Sequence, residues 1–300
     1  MQPSREAPTA WPLRHIPIPQ RASLTGVTVV LAVYVGITCY VQLLAQPEPA
    51  KWFPPAWWLP NATAGLVNVT LAFTVPIQLI VIGGLLLGIF RFRPREIGLV
   101  LAKLPAGVLL TAVAWAAAQV VFVIVCVLAG QEIAVNPRWQ GADWTQEAGA
   151  WLGQLFGNTP LEEVVFRGFL LPQCVLLVLS SMPKARPAIA IVAAVVVSQA
   201  LFAVTHVFFN ARQPEGQWLL LAQFTMGLAF AGVYLRTGNL FLAMGLHALV
   251  NNPSPLLTDP FPGPGVQGAI IFLGILIAVI FGPWFVGWLR RYVKRADTTP

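Results

Sequence analysis

The chain has 300 residues, of which 57% are hydrophobic and only 10% are charged. Soluble globular domains carry about 25% charged residues, so this composition excludes an ordinary soluble enzyme. The formal net charge of +7 is spread over short segments between apolar runs and forms no basic domain. The charge therefore argues against a nucleic-acid partner and for contact with membrane lipid.

The apolar residues fall into runs of the length that transmembrane helices need. A helix requires about 20 apolar residues to cross the hydrocarbon core of a bilayer. We predict eight helices, at residues 24–45, 63–90, 105–130, 160–179, 187–209, 218–235, 240–252 and 266–289. The predicted fold class is therefore an all-α, polytopic membrane helix bundle.

The predicted bundle occupies residues 23–290, between two polar and basic ends. Residues 1–22 are expected to form a flexible cytoplasmic tail, and residues 291–300 a second cytoplasmic tail. With this orientation, 14 of the 18 Lys and Arg residues fall in the tails and the inside loops, as the positive-inside rule requires. We expect a multi-pass protein of the cell membrane with both termini in the cytoplasm.

A small set of polar residues interrupts the apolar runs of the predicted helices. Ionisable side chains are costly in lipid and commonly mark functional sites. The set consists of Glu162, Glu163, Arg167, His206 and His247, with Asn251 one helical turn after His247.

The acidic pair has a structural explanation as well as a functional one. Thr159, Pro160 and Glu162 are typical of a helix start with a capping box. Glu163 and Arg167 are four residues apart and could form an ion pair on one helix. Since adjacent helical residues are offset by about 100°, Glu162 would then point elsewhere and remain available for chemistry.

The histidines also have structural explanations. A lone His206 is more often a packed, hydrogen-bonded core residue, and Phe202, one turn earlier, could shield it. His247 and Asn251 share one helix face and could form hydrogen bonds between helices. Each explanation needs a separate buried partner, whereas one shared site would satisfy all three groups.

The three groups follow the patterns E-E-x-x-x-R, F-x-x-x-H and H-x-x-x-N in successive apolar segments. This order and spacing resembles the CPBP family of intramembrane proteases, relatives of the type II CAAX prenyl endopeptidases and of bacteriocin self-immunity proteins. The resemblance covers residues of about 145–255. It implies a multi-helix fold with a conical cavity that opens to water and membrane. It also implies an endopeptidase of the CAAX prenyl protease type, acting on a membrane-anchored or prenylated protein or peptide.

The resemblance also implies roles for individual residues. Glu162 and His206 would hold a water molecule and take its proton. His247 and Asn251 would stabilise the oxyanion. Supporting roles fall to Glu163, Arg167 and Phe202. Amide hydrolysis needs this combination of a nucleophilic water, a base and donors aimed at the tetrahedral oxygen.

Two alternatives remain open at this point. Glu162, His206 and His247 could bind zinc or another divalent metal as a His₂Glu site, although the usual H-E-x-x-H helix is absent; the sequence slightly favours metal-free, glutamate-type chemistry. The same cavity could also serve a non-proteolytic membrane scaffold or a protein of the bacteriocin-immunity type.

The depth of these groups in the membrane is a separate question. A helix that starts at residue 160 puts Glu162 near the outer side. His247, in contrast, follows the inner turn at residues 236–239 by only about 10 Å. Either a re-entrant segment or a helix that begins nearer Thr145 would bring the groups to one level.

Overall fold

The chain folds into a bundle of helices. The computed structural model describes residues 13–44, 54–141, 144–182, 184, 186–207, 216–257, 268–275, 277, 278 and 282. The helices are α1 (Leu24–Leu44), α2 (Pro54–Ala62), α3 (Val69–Gln78, continued as a π-helix over Leu79–Ile89), α4 (Leu104–Leu128), α5 (Trp144–Ser181), α6 (Pro187–Val204), α7 (Gly216–Thr237) and α8 (Leu240–Asn251). Extended pairing within the described residues is limited to a single bridge between Val135 and Leu257.

Five helices of the described residues are long and apolar enough to cross a membrane. These are Val69–Ile89, Leu101–Leu128, Trp144–Ser181, Pro187–Val204 and Trp218–Thr237. Two shorter apolar helices, Leu24–Tyr40 and Leu240–Asn251, accompany them. The prediction of an all-α polytopic membrane bundle is therefore confirmed. The last predicted run, 266–289, is helical over 268–275, and most of its remainder lies outside the described residues.

Helix α5 differs most from the sequence-based prediction. It begins at Trp144 instead of residue 160, so the predicted capping box at Thr159 is wrong. The Thr159 hydroxyl donates to the Gln154 carbonyl at 2.8 Å within the continuous helix. Glu162 follows Trp144 by 18 residues, which is about 27 Å of α-helix. The early start therefore places Glu162 deep in the span.

Two prolines shape the middle of α5. Pro160 and Pro172 each lack a backbone N–H and so remove one helical hydrogen bond. π-Helical stretches, Gly153–Asn158 and Val164–Leu170, lie just before them. The Gln78 side chain of α3 donates to the carbonyls of Phe156 and Gly157 at 2.7 and 2.6 Å, which satisfies acceptors that the proline would otherwise leave unpaired.

Three glycines at four-residue spacing let α5 approach α3 closely. A Cβ atom on Gly149 would meet the Gly65 carbonyl, and one on Gly157 would meet the Thr74 hydroxyl. A Cβ atom on Gly153 would lie 2.5 Å from the side-chain oxygen of Asn68. Small residues at this spacing are typical of tightly packed membrane helices.

The described part of the predicted N-terminal tail is attached to the bundle. Leu13 and Ile16 are buried. The Gln173 amide accepts from the Ala22 backbone N–H at 2.9 Å and donates to the Gln20 carbonyl at 2.8 Å. Gln20 and Ala22 therefore contact α5 through Gln173, while Leu13 and Ile16 lie in the core. Residues 1–12 and the predicted second tail, 291–300, lie outside the described residues.

The helices that carry the candidate site pack around α5. α8 packs against α4, α5 and α7, and α6 packs against the second half of α5 and against α7. Aromatic and aliphatic side chains fill the interior, including Tyr34 of α1 and Phe166 of α5, whose rings meet edge to face at 5.3 Å.

Candidate active site

Two adjacent carboxylates lie in the middle of α5, away from solvent. Glu162 is 5% exposed and Glu163 is fully buried. An isolated carboxylate in such surroundings is strongly destabilised, and buried charges are therefore paired. The partners of these carboxylates come from α5 itself and from the two segments that carry the histidines.

The imidazole of His206 lies beside Glu162. His206 directly follows the last turn of α6, and its Nδ1 lies 2.9 Å from the Phe202 carbonyl oxygen. Since a carbonyl only accepts, Nδ1 carries the hydrogen. The other ring nitrogen, Nε2, lies 3.7 Å from Glu162 Oε1.

The imidazole of His247 lies between the two carboxylates. From α8, its Nδ1 is 2.9 Å from Glu163 Oε1 and its Nε2 is 3.6 Å from Glu162 Oε2. The contact with Glu163 is a direct hydrogen bond, whereas the contact with Glu162 is too long for one. Glu162 thus has an imidazole nitrogen near each of its two oxygens.

Arg167 pairs with Glu163 in the interior. Its Nη1 lies 3.0 Å from Glu163 Oε1, and both side chains are fully buried. The guanidinium carbon lies 4.2 Å from the centre of the Phe202 ring and 5.8 Å from that of Phe230, in the arrangement of a cation–π contact. Glu163 is thereby held by Arg167 on one side and by His247 on the other.

Aromatic rings enclose the two imidazoles. The Phe202 ring lies 4.9 Å from the His206 ring and 6.1 Å from the His247 ring, edge to face in both cases. Phe230 stacks on His247 at 4.5 Å with an interplanar angle of 23°. These rings restrict the orientation of both histidines and keep the carboxylate end of the site apolar.

Asn251 takes a different position from the other candidate residues. It is exposed, and its side-chain N–H donates to Gln154 Oε1 at 3.0 Å. The structure thus gathers Glu162, Glu163, Arg167, Phe202, His206 and His247 in direct contact. Asn251, one turn beyond His247 on α8, is joined to α5 through Gln154.

The fit of the site to a metal ion can be judged from its ligand types and geometry. Among the described residues, no group of three or more His, Cys, Asp and Glu side chains is arranged to hold a metal ion. The residues that would hold a metal are Glu162, His206 and His247, and the Nε2 atoms of the two histidines lie 3.7 and 3.6 Å from the Glu162 carboxylate. The bond from His247 Nδ1 to Glu163 is compatible with that role, because a metal-binding histidine commonly donates its other ring N–H to a carboxylate.

Residues 144–252 match the family model described as type II CAAX prenyl endopeptidase Rce1-like. This part of the chain is similar to the CPBP family of CAAX proteases. The match begins at the observed start of α5 and ends just after α8, so it spans every side chain of the acidic and histidine cluster. No curated protein and no solved structure matches the chain. The match supports a CAAX-type protease in the membrane in general terms.

Several residues in and around the candidate site have no clear signal in the sequence. Phe230 and Tyr34 are aromatic residues in apolar helices, and nothing in their spacing distinguishes them from other core positions. Gln154 lies in the stretch before residue 160, where the predicted helix begins. The four-residue spacing of Gly149, Gly153 and Gly157 could have shown that this stretch is a helix.

Proposed function

We propose that the chain is an intramembrane endopeptidase that hydrolyses a peptide bond in a membrane-associated protein or peptide. The main support is the surroundings of the Glu162 carboxylate: His206 Nε2 lies 3.7 Å from its Oε1, and His247 Nε2 lies 3.6 Å from its Oε2. Polar atoms at such separations are commonly bridged by a water molecule. A water between Glu162 and His206 would have a base on one side and an acceptor nitrogen on the other.

The reaction follows from this placement. Glu162 takes a proton from the water as the water oxygen attacks the carbonyl carbon of the substrate. The carbonyl oxygen becomes the oxyanion, and His247 and Asn251 donate N–H groups to it. Collapse breaks the C–N bond, and the proton held by Glu162 passes to the leaving nitrogen. The products are a new carboxyl terminus and a new amino terminus, with one water consumed.

Glu163 and Arg167 serve this chemistry by fixing His247. Because Nδ1 donates to Glu163, His247 can donate from Nε2 to the oxyanion only in its imidazolium form, and in that form its charge balances that of Glu162. Arg167 and Glu163 form a second balanced pair. The four groups together leave no net charge buried, which is the condition for placing them in a low-dielectric interior.

The substrate class proposed for this site is a membrane-anchored peptide, which includes prenylated ones. A buried site with few exposed polar atoms can be reached by a segment that is already held at the membrane. Membrane lipid would surround the apolar outer faces of helices such as α4, where Leu109 and Val120 are exposed. The family resemblance favours cleavage near the end of such a chain.

In the proposed topology, residues 23–290 form a domain in the cell membrane. Both termini lie in the cytoplasm. The Lys103 side chain supports one part of this proposal. It donates to the carbonyls of His15 at 3.1 Å and Gly238 at 2.8 Å, so three segments assigned to the cytoplasmic side lie at one end of the bundle. Labelling of single introduced cysteines from either side of sealed vesicles tests the orientation.

The function is tested with purified protein in detergent and a library of membrane-anchored C-terminal peptides, with products read by mass spectrometry. Glu162→Ala and His206→Ala should each abolish cleavage while the protein still folds and inserts. Glu132→Ala, in the exposed loop after α4, is the matched control and should cleave normally. Cleavage at the wild-type rate by either active-site variant would overturn the proposed site, whereas absence of cleavage by the wild-type protein would favour a non-proteolytic scaffold or an immunity-type protein.

A further inference from the structure

The first half of α5 contacts the end of α8 through two polar side chains. Gln154 accepts from Asn251 at 3.0 Å. Seven residues earlier, and so on the same helix face, Glu147 accepts from the Ser254 hydroxyl, which also lies 2.9 Å from Asn252 Oδ1. Ser254 is buried and has a positive φ of 40°, a conformation that is uncommon for residues other than glycine. The turn after α8 is therefore held by these contacts.

The bond to Gln154 determines how the Asn251 amide is oriented. An asparagine amide has an accepting oxygen and a nitrogen with two hydrogens. Because Gln154 presents its oxygen, the NH₂ group of Asn251 must face it. One of the two hydrogens is used in this bond, and the second remains available to another acceptor.

Gln154 is itself carried on a rigid part of α5. Its backbone carbonyl accepts from the Thr159 hydroxyl at 2.8 Å. Gly153, immediately before it, packs on Asn68, and the carbonyls two and three residues after it accept from Gln78. The Gln154 side chain is thus attached to a backbone that is fixed from both sides, which suits a residue that must orient another.

We propose that Gln154 is a positioning residue that orients the Asn251 amide, so that its free N–H points to the oxyanion in the transition state. This inference rests on the proposed function, because it gives Asn251 its role. Gln154 does not touch the reacting atoms. Its contribution is to pre-orient a donor, and pre-oriented donors stabilise developing charge at no cost in reorganisation.

The inference is tested by a double-mutant cycle with a membrane-anchored reporter peptide whose cleavage depends on Glu162. Loss of an oxyanion donor costs about 10²–10³ in kcat, and Asn251→Ala should fall in that range. Gln154→Met keeps the size of the side chain but removes the accepting oxygen. It should lower kcat by about tenfold or more and leave KM within about twofold. In the Asn251→Ala background, Gln154→Met should cause no further loss.

Controls separate this inference from loss of folding and from failure of the proposed function. Gln140→Met, at an exposed glutamine whose side-chain amide donates to the Val135 carbonyl, should retain the wild-type kcat. Gln154→Ala replaces Gln154→Met if the latter unfolds in detergent. An equal loss in kcat with and without Asn251, or an unchanged kcat in Gln154→Met while Asn251→Ala is impaired, would overturn the role of Gln154. Wild-type turnover by Glu162→Ala would instead overturn the proposed function.

Discussion

The imidazole of His247 bonds through Nδ1 to Glu163 at 2.9 Å, while its Nε2 faces Glu162 at 3.6 Å. Two carboxylates that are neighbours in the sequence therefore meet opposite nitrogens of one ring. Because the 100° offset between adjacent helical residues turns their side chains apart, only a ring placed between them can reach both. This arrangement divides the acidic pair into an orienting carboxylate and a reacting one.

The first prediction concerns the orienting carboxylate. Glu163→Gln keeps an oxygen that can accept from His247 but removes the charge, and charge-assisted hydrogen bonds are roughly twice as strong as neutral ones. We expect kcat to fall by about tenfold or more, with a smaller change in KM. Steady-state kinetics with the reporter peptide measures this split. Glu132→Gln is the exposed control, and an equal loss there would count against the assignment.

The second prediction concerns the free energy of unfolding. Arg167 is fully buried and pairs with Glu163 at 3.0 Å, so Arg167→Met leaves a buried carboxylate without its guanidinium. Breaking one side of a buried ion pair costs about 3–5 kcal/mol. The double variant Arg167→Met/Glu163→Gln should be more stable than Arg167→Met alone, because the unpaired charge is gone. Thermal unfolding in detergent compares the wild type, both single variants and the double variant, and strict additivity of the two changes would contradict the pairing.

The helical architecture could be predicted because its cause is visible in the sequence. Each apolar run must hide its backbone polar groups from lipid, and an α-helix does so within the run itself. The sequence puts the start of α5 at residue 160, with a start nearer Thr145 as the alternative, because the polar residues Glu147 and Gln154 interrupt the apolar run. These two side chains are tolerated since they bond within the protein, to Ser254 and Asn251. Those partners lie about 100 residues away in the sequence.

The chemistry-bearing residues of the candidate site could be singled out because charged and imidazole groups in apolar helices are conspicuous. The distances between these residues could not be predicted, because they depend on how far α5 extends and on how α6 and α8 pack around it. The enclosing rings are a different case. Phe230 stacks on His247, but it is one of 18 phenylalanines, and hydrophobic periodicity does not separate a ring that shields a histidine from a ring that fills the core.

The third prediction concerns the glycine contact between α5 and α3. A Cβ atom at Gly153 would lie 2.5 Å from Asn68 Oδ1, and that oxygen already caps α3 by accepting from the Leu71 N–H at 2.9 Å. Asn68 cannot move away without losing its cap. Gly153→Ala should therefore destabilise the protein by about 1–3 kcal/mol, the usual cost of overpacking.

The control for this glycine contact is Gly36 of α1. Apart from its own helix backbone, a Cβ atom at Gly36 would meet no atom of the described residues within 4 Å, so Gly36→Ala should leave the unfolding temperature unchanged or raise it slightly. Unfolding temperatures in the same detergent provide the comparison. A similar decrease in both variants would point to a general loss of glycine from membrane helices instead of a specific clash with Asn68.

The last prediction concerns metal ions. If Glu162 is the base and the water is held by side chains alone, removing divalent metals takes nothing from the reaction. Dialysis against a chelator should leave kcat and KM for the reporter peptide unchanged, and purified active protein should contain far less than one metal ion per chain. A zinc endopeptidase treated in the same detergent should lose its activity, which verifies the chelation.

A metal-dependent reaction would give a different set of results, because zinc binds to deprotonated ligands and displaces protons. A metal-dependent enzyme would lose activity on dialysis, regain it with one equivalent of zinc, and fail to bind that zinc in His206→Ala. Glu163 would then act on His247 as a carboxylate that orients a metal ligand. Retained activity in metal-depleted protein would leave Glu162, flanked by its two imidazoles, as the group that takes the proton from the water.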